Sequence, residues 1–247
     1  MGARRHLIGG GWRSADVFTG FLRDAGTHAR IGCVVLDEGD GEVDKEFARY
    51  ARRLTEAAPC VPVALPVPIG SRFDPSVLDA VDAVLVCGGL TPAYQQALAP
   101  RADELVDLIG RRDLPYAGFS AGAALAARTA LVGGWLDGGV PVCPPDSAED
   151  LEDVTVAPGL GLVPFTVDVH AAQWGTLPRL IAAVARGDVR EGVALDEDTL
   201  ITYEPGAAPW SAALDVRTSC AAGTMVWSCA PVPRARTSSS APKGQHG

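Results

Sequence analysis

The chain has 247 residues, 47% of them hydrophobic and 21% charged, with a formal net charge of −9 and a sequence pI of about 4.9. That length and balance fit a globular unit able to bury a two-sided sheet core. The acidic balance argues against a nucleic-acid partner or an anionic membrane surface, because phosphate binding needs a basic surface. The start, MGARRHLIGGGW, has no apolar segment of secretory length, and no run of the sequence is long and apolar enough to cross a bilayer. A soluble cytoplasmic protein is expected. Six cysteines, Cys33, Cys60, Cys87, Cys143, Cys220 and Cys229, include no C-x-x-C pair, which speaks against a zinc or redox site; no metal and no cofactor are expected. Cys33 and Cys87 fall inside apolar runs and read as buried thiols, while a Cys220–Cys229 disulfide is left open.

Taken in chain order, a strand over residues 6–8 leads into Gly9-Gly10-Gly11, and a second covers 30–36. Residues 43–58 read as a helix with Val43, Phe47, Tyr50, Ala51 and Leu54 on one face. A third strand covers 61–65 and a fourth 83–87, running into Gly88-Gly89. A helix at 102–111 precedes a fifth strand at 114–119 and a small-residue helix at 121–127. Alternating apolar strands and helices imply a doubly wound, mostly parallel sheet with helices on both faces. Ligands bind outside the carboxyl ends of such strands, so the two glycine clusters and the turn at Ser120 should converge on one edge. Residues 133–163, rich in Gly, Pro and Asp, form a long excursion. Beyond it come a strand at 166–170, a helix at 177–186, a strand at 192–195 and a closing antiparallel hairpin from 213–216 and 224–227. Residues 1–230 are expected to be one α/β domain, and 231–247, rich in Pro, Ser and Arg, a disordered tail.

The strongest chemical signal is Gly118-Phe119-Ser120-Ala121-Gly122 between a strand and a helix, the setting of a nucleophile elbow. Ser120 is placed to attack a carbonyl, with the N–H of Ala121 as an oxyanion donor. Gly88 or Gly89 offers the other donor. A serine nucleophile needs a base. Among the four histidines His170, ending the run TVDVH, is best placed. The orienting acid falls between Ser and His in α/β-hydrolases, which favours Asp137, set among glycines. Asp168 competes from two residues before His170, and Glu197 from the end of the 192–195 strand, although it follows the His. The Gly9-Gly10-Gly11 run invites a dinucleotide reading, but its third glycine would fall on Ser14, and the pattern is set aside as incomplete.

Together the IGGG start, the Gly88-Gly89 turn, AGFSAGA, GLGLVPFTVDVH and VALDEDT resemble the peptidase E and cyanophycinase family of serine peptidases, over roughly residues 6–205. The resemblance implies a fold similar to class I glutamine amidotransferases, flavodoxin-like in its sheet. It also implies a Ser-acid-His triad carried by Ser120, Asp137 and His170, with oxyanion donors at Gly88 or Gly89 and Ala121. Glu197 then reads as structural or pocket-lining. The sequence departs from the family where substrate is chosen, at Leu90-Thr91-Pro92 and at Ala171-Ala172-Gln173-Trp174. Leu90, Thr91, Gln173 and Trp174 are therefore the candidate substrate contacts. The expected activity is hydrolysis of a small peptide or amide, an aspartyl dipeptide being one candidate. An esterase or acyltransferase using the same triad, and a non-catalytic ligand-binding relative, stay open, as does a homodimer.

Overall fold

The computed structural model describes residues 2–39 and 41–206, together with the backbone of 214–218 and 226–229. β1 (Arg5–Ile8) and β2 (Arg30–Asp37) flank the short helix α1 (Thr19–Ala25). α2 (Val43–Ala57), β3 (Val61–Pro68), β4 (Ala83–Val86), α3 (Thr91–Leu98), α4 (Ala102–Arg111), β5 (Tyr116–Phe119) and α5 (Ala121–Leu125) complete the first half. The second half holds β6 (Thr129–Gly133), β7 (Leu136–Asp137), β8 (Val140–Pro141), β9 (Thr155–Pro158), β10 (Thr166–Val169) and α6 (Leu177–Arg186). It ends with β11 (Gly192–Leu195), β12 (Thr199–Tyr203), β13 (Leu214–Thr218) and β14 (Val226–Cys229).

The main sheet has seven strands in the order β13-β12-β1-β5-β4-β2-β3. The five from β1 to β3 are parallel, and β12 and β13 add antiparallel neighbours on the β1 side. Side chains alternate across it as a strand period of two requires. Val34 and Leu36 join one core with Val84, Val86 and Leu7. Ile31, Cys33 and Val35 join the opposite core with Leu85, Cys87 and Ile8. The first core includes Leu98, Leu105 and Leu125, from α3, α4 and α5; the second includes Phe21, Tyr50 and Leu54, from α1 and α2. The face anticipated for α2 is the one it turns inward. β3 runs past its expected end through Pro66 and Pro68. Edge strands tolerate proline because half of their N–H groups point away from the sheet. Val61 donates to Ala29 O of the neighbouring segment, so the even-numbered positions, which carry the prolines, face outward.

Two expectations are corrected. In the flavodoxin order the first strand lies between the second and third; here β1 sits between β5 and β12. The 213–216 and 224–227 strands exist, slightly shifted, but do not form a hairpin. β13 pairs with β12 in the main sheet, and β14 pairs with β11 in a separate three-stranded sheet, β10-β11-β14. Each lies along the edge of a different sheet, which satisfies backbone groups that a hairpin would leave open. The expected tail at 231–247 and Cys220 lie outside the described residues.

The excursion at 133–163 is built from β6 paired with β9, the two-residue hairpin β7-β8, and a loop through Ser147 and Glu149. Arg179 of α6 pins that loop. Its guanidinium donates to both carboxylate oxygens of Asp168, at 3.0 and 2.8 Å, and to Ser147 O at 2.6 Å. Arg179 and Asp168 are both buried, a setting in which an ion pair holds only with full hydrogen bonding.

Candidate active site

Ser120 follows β5 directly and caps α5 with φ +52° and ψ −112°. A non-glycine residue rarely occupies such backbone geometry, and it persists only where its surroundings enforce it. Ser120 N–H donates to Ile8 O of the adjacent β1, at 2.9 Å. The two flanking glycines are required by contact. A Cβ on Gly118 would lie 2.3 Å from Gly122 O, and one on Gly122 would lie 2.1 Å from Val86 O. The G-x-S-x-G spacing is thus a close-packing condition that lets the turn fold tightly over β4 and β5.

Ser120 Oγ lies 2.8 Å from His170 Nε2. His170 Nδ1 lies 2.8 Å from Glu197 Oε1. The second contact follows from strand register. β10 and β11 are parallel, with Val169 opposite Leu195, so the residues just past their ends lie side by side. His170 is the first residue after β10 and Glu197 the second after β11. The segment Asp196-Glu197-Asp198 then carries the chain from the small sheet into β12 of the main one. Gly9 N–H donates to Thr199 O, Asp198 N–H to Gly10 O at 2.7 Å, and His170 N–H to Gly9 O. The Gly9-Gly10-Gly11 run therefore joins the two sheets. At Gly10 (φ +102°) a Cβ would lie 2.2 Å from His170 Cε1. This close approach accounts for glycine there without a dinucleotide.

Asp137 is not near this arrangement. It ends β7, and its carboxylate accepts a hydrogen bond from Arg186 Nη1 at 2.8 Å, at a partly exposed ion pair. The glycines around it serve the tip of the β7-β8 hairpin. Asp168 is also excluded as the partner of His170, being taken up by Arg179. The order of the three linked side chains is therefore Ser120, His170, Glu197. The hydrogen bond from His170 holds the Glu197 carboxyl below the usual carboxylate range, against a smaller opposing effect of burial.

The remaining anticipated residues divide. Gly88 N–H is already engaged, donating to Tyr50 Oη at 2.7 Å. The N–H groups of Gly89 and Ala121 make no hydrogen bond among the described residues and border the Ser120 turn. Gln173 Oε1 accepts from Glu197 N–H at 2.9 Å, so it fixes Glu197. Trp174 stacks on the His170 ring, with centroids 4.0 Å apart and planes 9° from parallel, where its π face favours an imidazolium cation. Thr91 is buried and gives its N–H to the Glu149 carboxylate at 2.9 Å, so only Leu90 of that pair lines a cavity. Burial raises the Glu149 carboxyl above the usual range, more than its hydrogen bond from Thr91 lowers it.

Two open cavities flank Ser120. One, of about 530 Å³, is bordered by Trp12, Glu38, Glu46, Arg49, Tyr50 and Trp174. The other, of about 540 Å³, is bordered by Glu38, Leu90, Asp146, Glu149, Asp150 and Trp174. Beneath the first, Phe119 packs against Trp12 and Tyr50, at centroid distances of 4.7 and 5.4 Å. Sequence reasoning did not single out Trp12, Tyr50 or Glu149 as site residues. Tyr50 was read only as part of a buried helix face, which it also is.

No family model matches the chain. Its fold is shared with two solved structures. One is a protein of Listeria monocytogenes EGD-e provisionally assigned as a peptidase E, with TM-score 0.58 and 14% identity over 88% of this chain and 99% of that one. The other is a peptidase from an acI-B1 Actinobacterium, with TM-score 0.57 and 13% identity over 92% and 98%. The class defined is thus a mixed α/β protein with a mainly parallel central sheet, folded like these structures. In sequence, the chain is 39% identical over 92 residues to the cyanophycinases of Trichormus variabilis and a Nostoc species. That match spans 37% of this chain and 28% of each cyanophycinase. Both likenesses agree with the resemblance to the peptidase E and cyanophycinase family carried by the motifs.

Proposed function

We propose that the chain is a serine-type peptidase or amidase in which Ser120 is the nucleophile, His170 the general base and Glu197 the orienting acid. The observation that carries this is the unbroken chain Ser120 Oγ–His170–Glu197, with two contacts of 2.8 Å each, beside a strained strand-to-helix turn. His170 Nε2 takes the Ser120 proton as Oγ attacks the substrate carbonyl, and Glu197 stabilises the imidazolium through Nδ1–H. The N–H groups of Gly89 and Ala121 receive the developing oxyanion. His170 then protonates the leaving amine, and water hydrolyses the acyl-enzyme by the reverse proton path.

Both cavities are of a size for short peptides. The first sets Arg49 among glutamates, so an aspartyl side chain has one cation to meet there. The second has Glu38, Asp146, Glu149 and Asp150 as its charged border, which favours a free α-amino group. The test is a panel of dipeptides and dipeptide amides, aspartyl ones included, each with a free and an N-acetylated amino terminus and each repeated with Ser120→Ala. Hydrolysis that favours free amino termini, and is absent from the variant, is expected. Acetylation should lower kcat/KM by at least about 10-fold, the scale set by losing one charge-assisted hydrogen bond. Equal turnover of acetylated substrates would remove the assignment of the second cavity.

A further inference from the structure

The structure holds three tyrosines with almost no exposure: Tyr50, Tyr94 and Tyr116. Two have their hydroxyl protons accounted for. Tyr94 Oη accepts from Leu36 N–H at 2.8 Å and donates to Val34 O at 3.1 Å. Tyr116 Oη donates to Gly122 O at 2.7 Å. Tyr50 Oη accepts from Gly88 N–H at 2.7 Å, and among the described residues its own proton has no acceptor. A phenol can both accept and donate, and here only the accepting role is filled within the protein. Its donating role is therefore free to meet a group that enters the cavity it borders.

The place of this hydroxyl is specific. A Cβ built on Gly88 would lie 3.1 Å from Tyr50 Oη and 3.2 Å from Ser120 Cβ. The hydroxyl and the Ser120 side chain therefore close on Gly88 together, too tightly for a side chain there. Tyr50 borders the same cavity as Gly89, Ser120 and His170. Its ring is fixed edge-on to Phe119, the residue before Ser120, and to Trp12, with interplanar angles of 89° and 64°.

We propose that Tyr50 is a catalytic residue, its hydroxyl donating a hydrogen bond to the carbonyl oxygen under attack by Ser120. This rests on Ser120 being the nucleophile. As the Ser120 Oγ–carbon bond forms and its proton passes to His170 Nε2, the carbonyl π pair moves onto oxygen. Tyr50 O–H and the N–H groups of Gly89 and Ala121 meet that charge, and Tyr50 keeps its proton throughout. Gly88 N–H, anticipated as a direct donor, acts one step back by polarising the Tyr50 hydroxyl. Burial pushes the Tyr50 phenol well above its ordinary range, which keeps it neutral and able to donate.

The test measures the second-order rate at which an alkyl fluorophosphonate labels Ser120, with Oγ–P bond formation and loss of fluoride, in wild type and two variants. Tyr50→Phe keeps the ring packing and should slow labelling about 10²-fold, the usual effect of removing one oxyanion donor, with its Tm within a few degrees of wild type. Replacing Tyr50 with 3,5-difluorotyrosine makes the hydroxyl a stronger donor and a weaker acceptor. Labelling at or above the wild-type rate supports donation to the reacting oxygen. Slowing comparable to that of Tyr50→Phe would mean the hydroxyl matters only as the acceptor for Gly88, and would overturn the proposal. A Tyr50→Phe protein that labels at the wild-type rate would overturn it too, while leaving Ser120 as nucleophile. Wild type that takes no label would instead remove the reading on which the proposal rests, and the proposal with it.

Discussion

Ser120→Ala should reduce hydrolysis by about 10⁶-fold in kcat, the scale seen when the nucleophile of a coupled triad is removed. His170→Ala should cost about as much, because residues acting as one unit lose most of their effect together. The loss at Ser120 should come without a loss of stability. Among the described residues the Ser120 side chain hydrogen-bonds only to His170, while the backbone there carries positive φ. Ser120→Gly separates the two contributions. It should be as inactive as Ser120→Ala but more stable, by about 1 kcal/mol, since glycine adopts such a conformation without steric cost. Calorimetry or urea unfolding beside the activity assay checks both halves. A stable Ser120→Ala protein retaining more than about one part in a hundred of wild-type kcat would point to another nucleophile, because triad removal leaves far less.

The second large effect separates the two carboxylates. Glu197→Gln should lower kcat by about 10⁴-fold, as loss of the orienting acid does where it leaves imidazole in the wrong tautomer. Asp137→Asn should leave kcat within about 2-fold, because a surface pair of this kind is worth only about 0–1 kcal/mol and its partner is Arg186 on α6. The reverse ranking, in two well-folded proteins, would restore the Ser-acid-His chain order and remove Glu197 from the site. Equal, small effects of both would mean that the amide introduced by Glu197→Gln still orients the ring through its oxygen; Glu197→Ala would then have to show the loss.

Where the sequence was informative, physical reasons are visible. The G-F-S-A-G run could be read because a side chain at either glycine would collide with backbone atoms, which leaves few alternatives at those positions. The continuous apolar runs of β2 and β4 marked strands buried on both faces, and α4, α6 and β11 begin and end where expected. His170 stood out because it closes an apolar strand. The acid was harder. Asp137 carried the expected chain order and a glycine-rich setting, but those glycines shape a hairpin tip. Glu197 carried the more physical signal, since it lies just past the carboxyl end of a strand parallel to the one before His170. Reading that pairing requires knowing that β10 and β11 are neighbours, which is long-range information. The same limit hid the placement of β1 beside β5 and the separation of β13 from β14. Tyr50 sat in plain view on the buried face of α2, but its hydroxyl meets Gly88 from 38 positions away, a contact no local pattern encodes.

The central claim is that Ser120 is an activated nucleophile made so by His170 and Glu197. It is tested most directly by intact-protein mass spectrometry after exposure to a fluorophosphonate, with the modified peptide mapped. Wild type should gain one adduct, on Ser120; Ser120→Ala should gain none, and Glu197→Gln should gain it far more slowly. Folded wild type that takes no adduct, or that takes it at another residue, would contradict the claim.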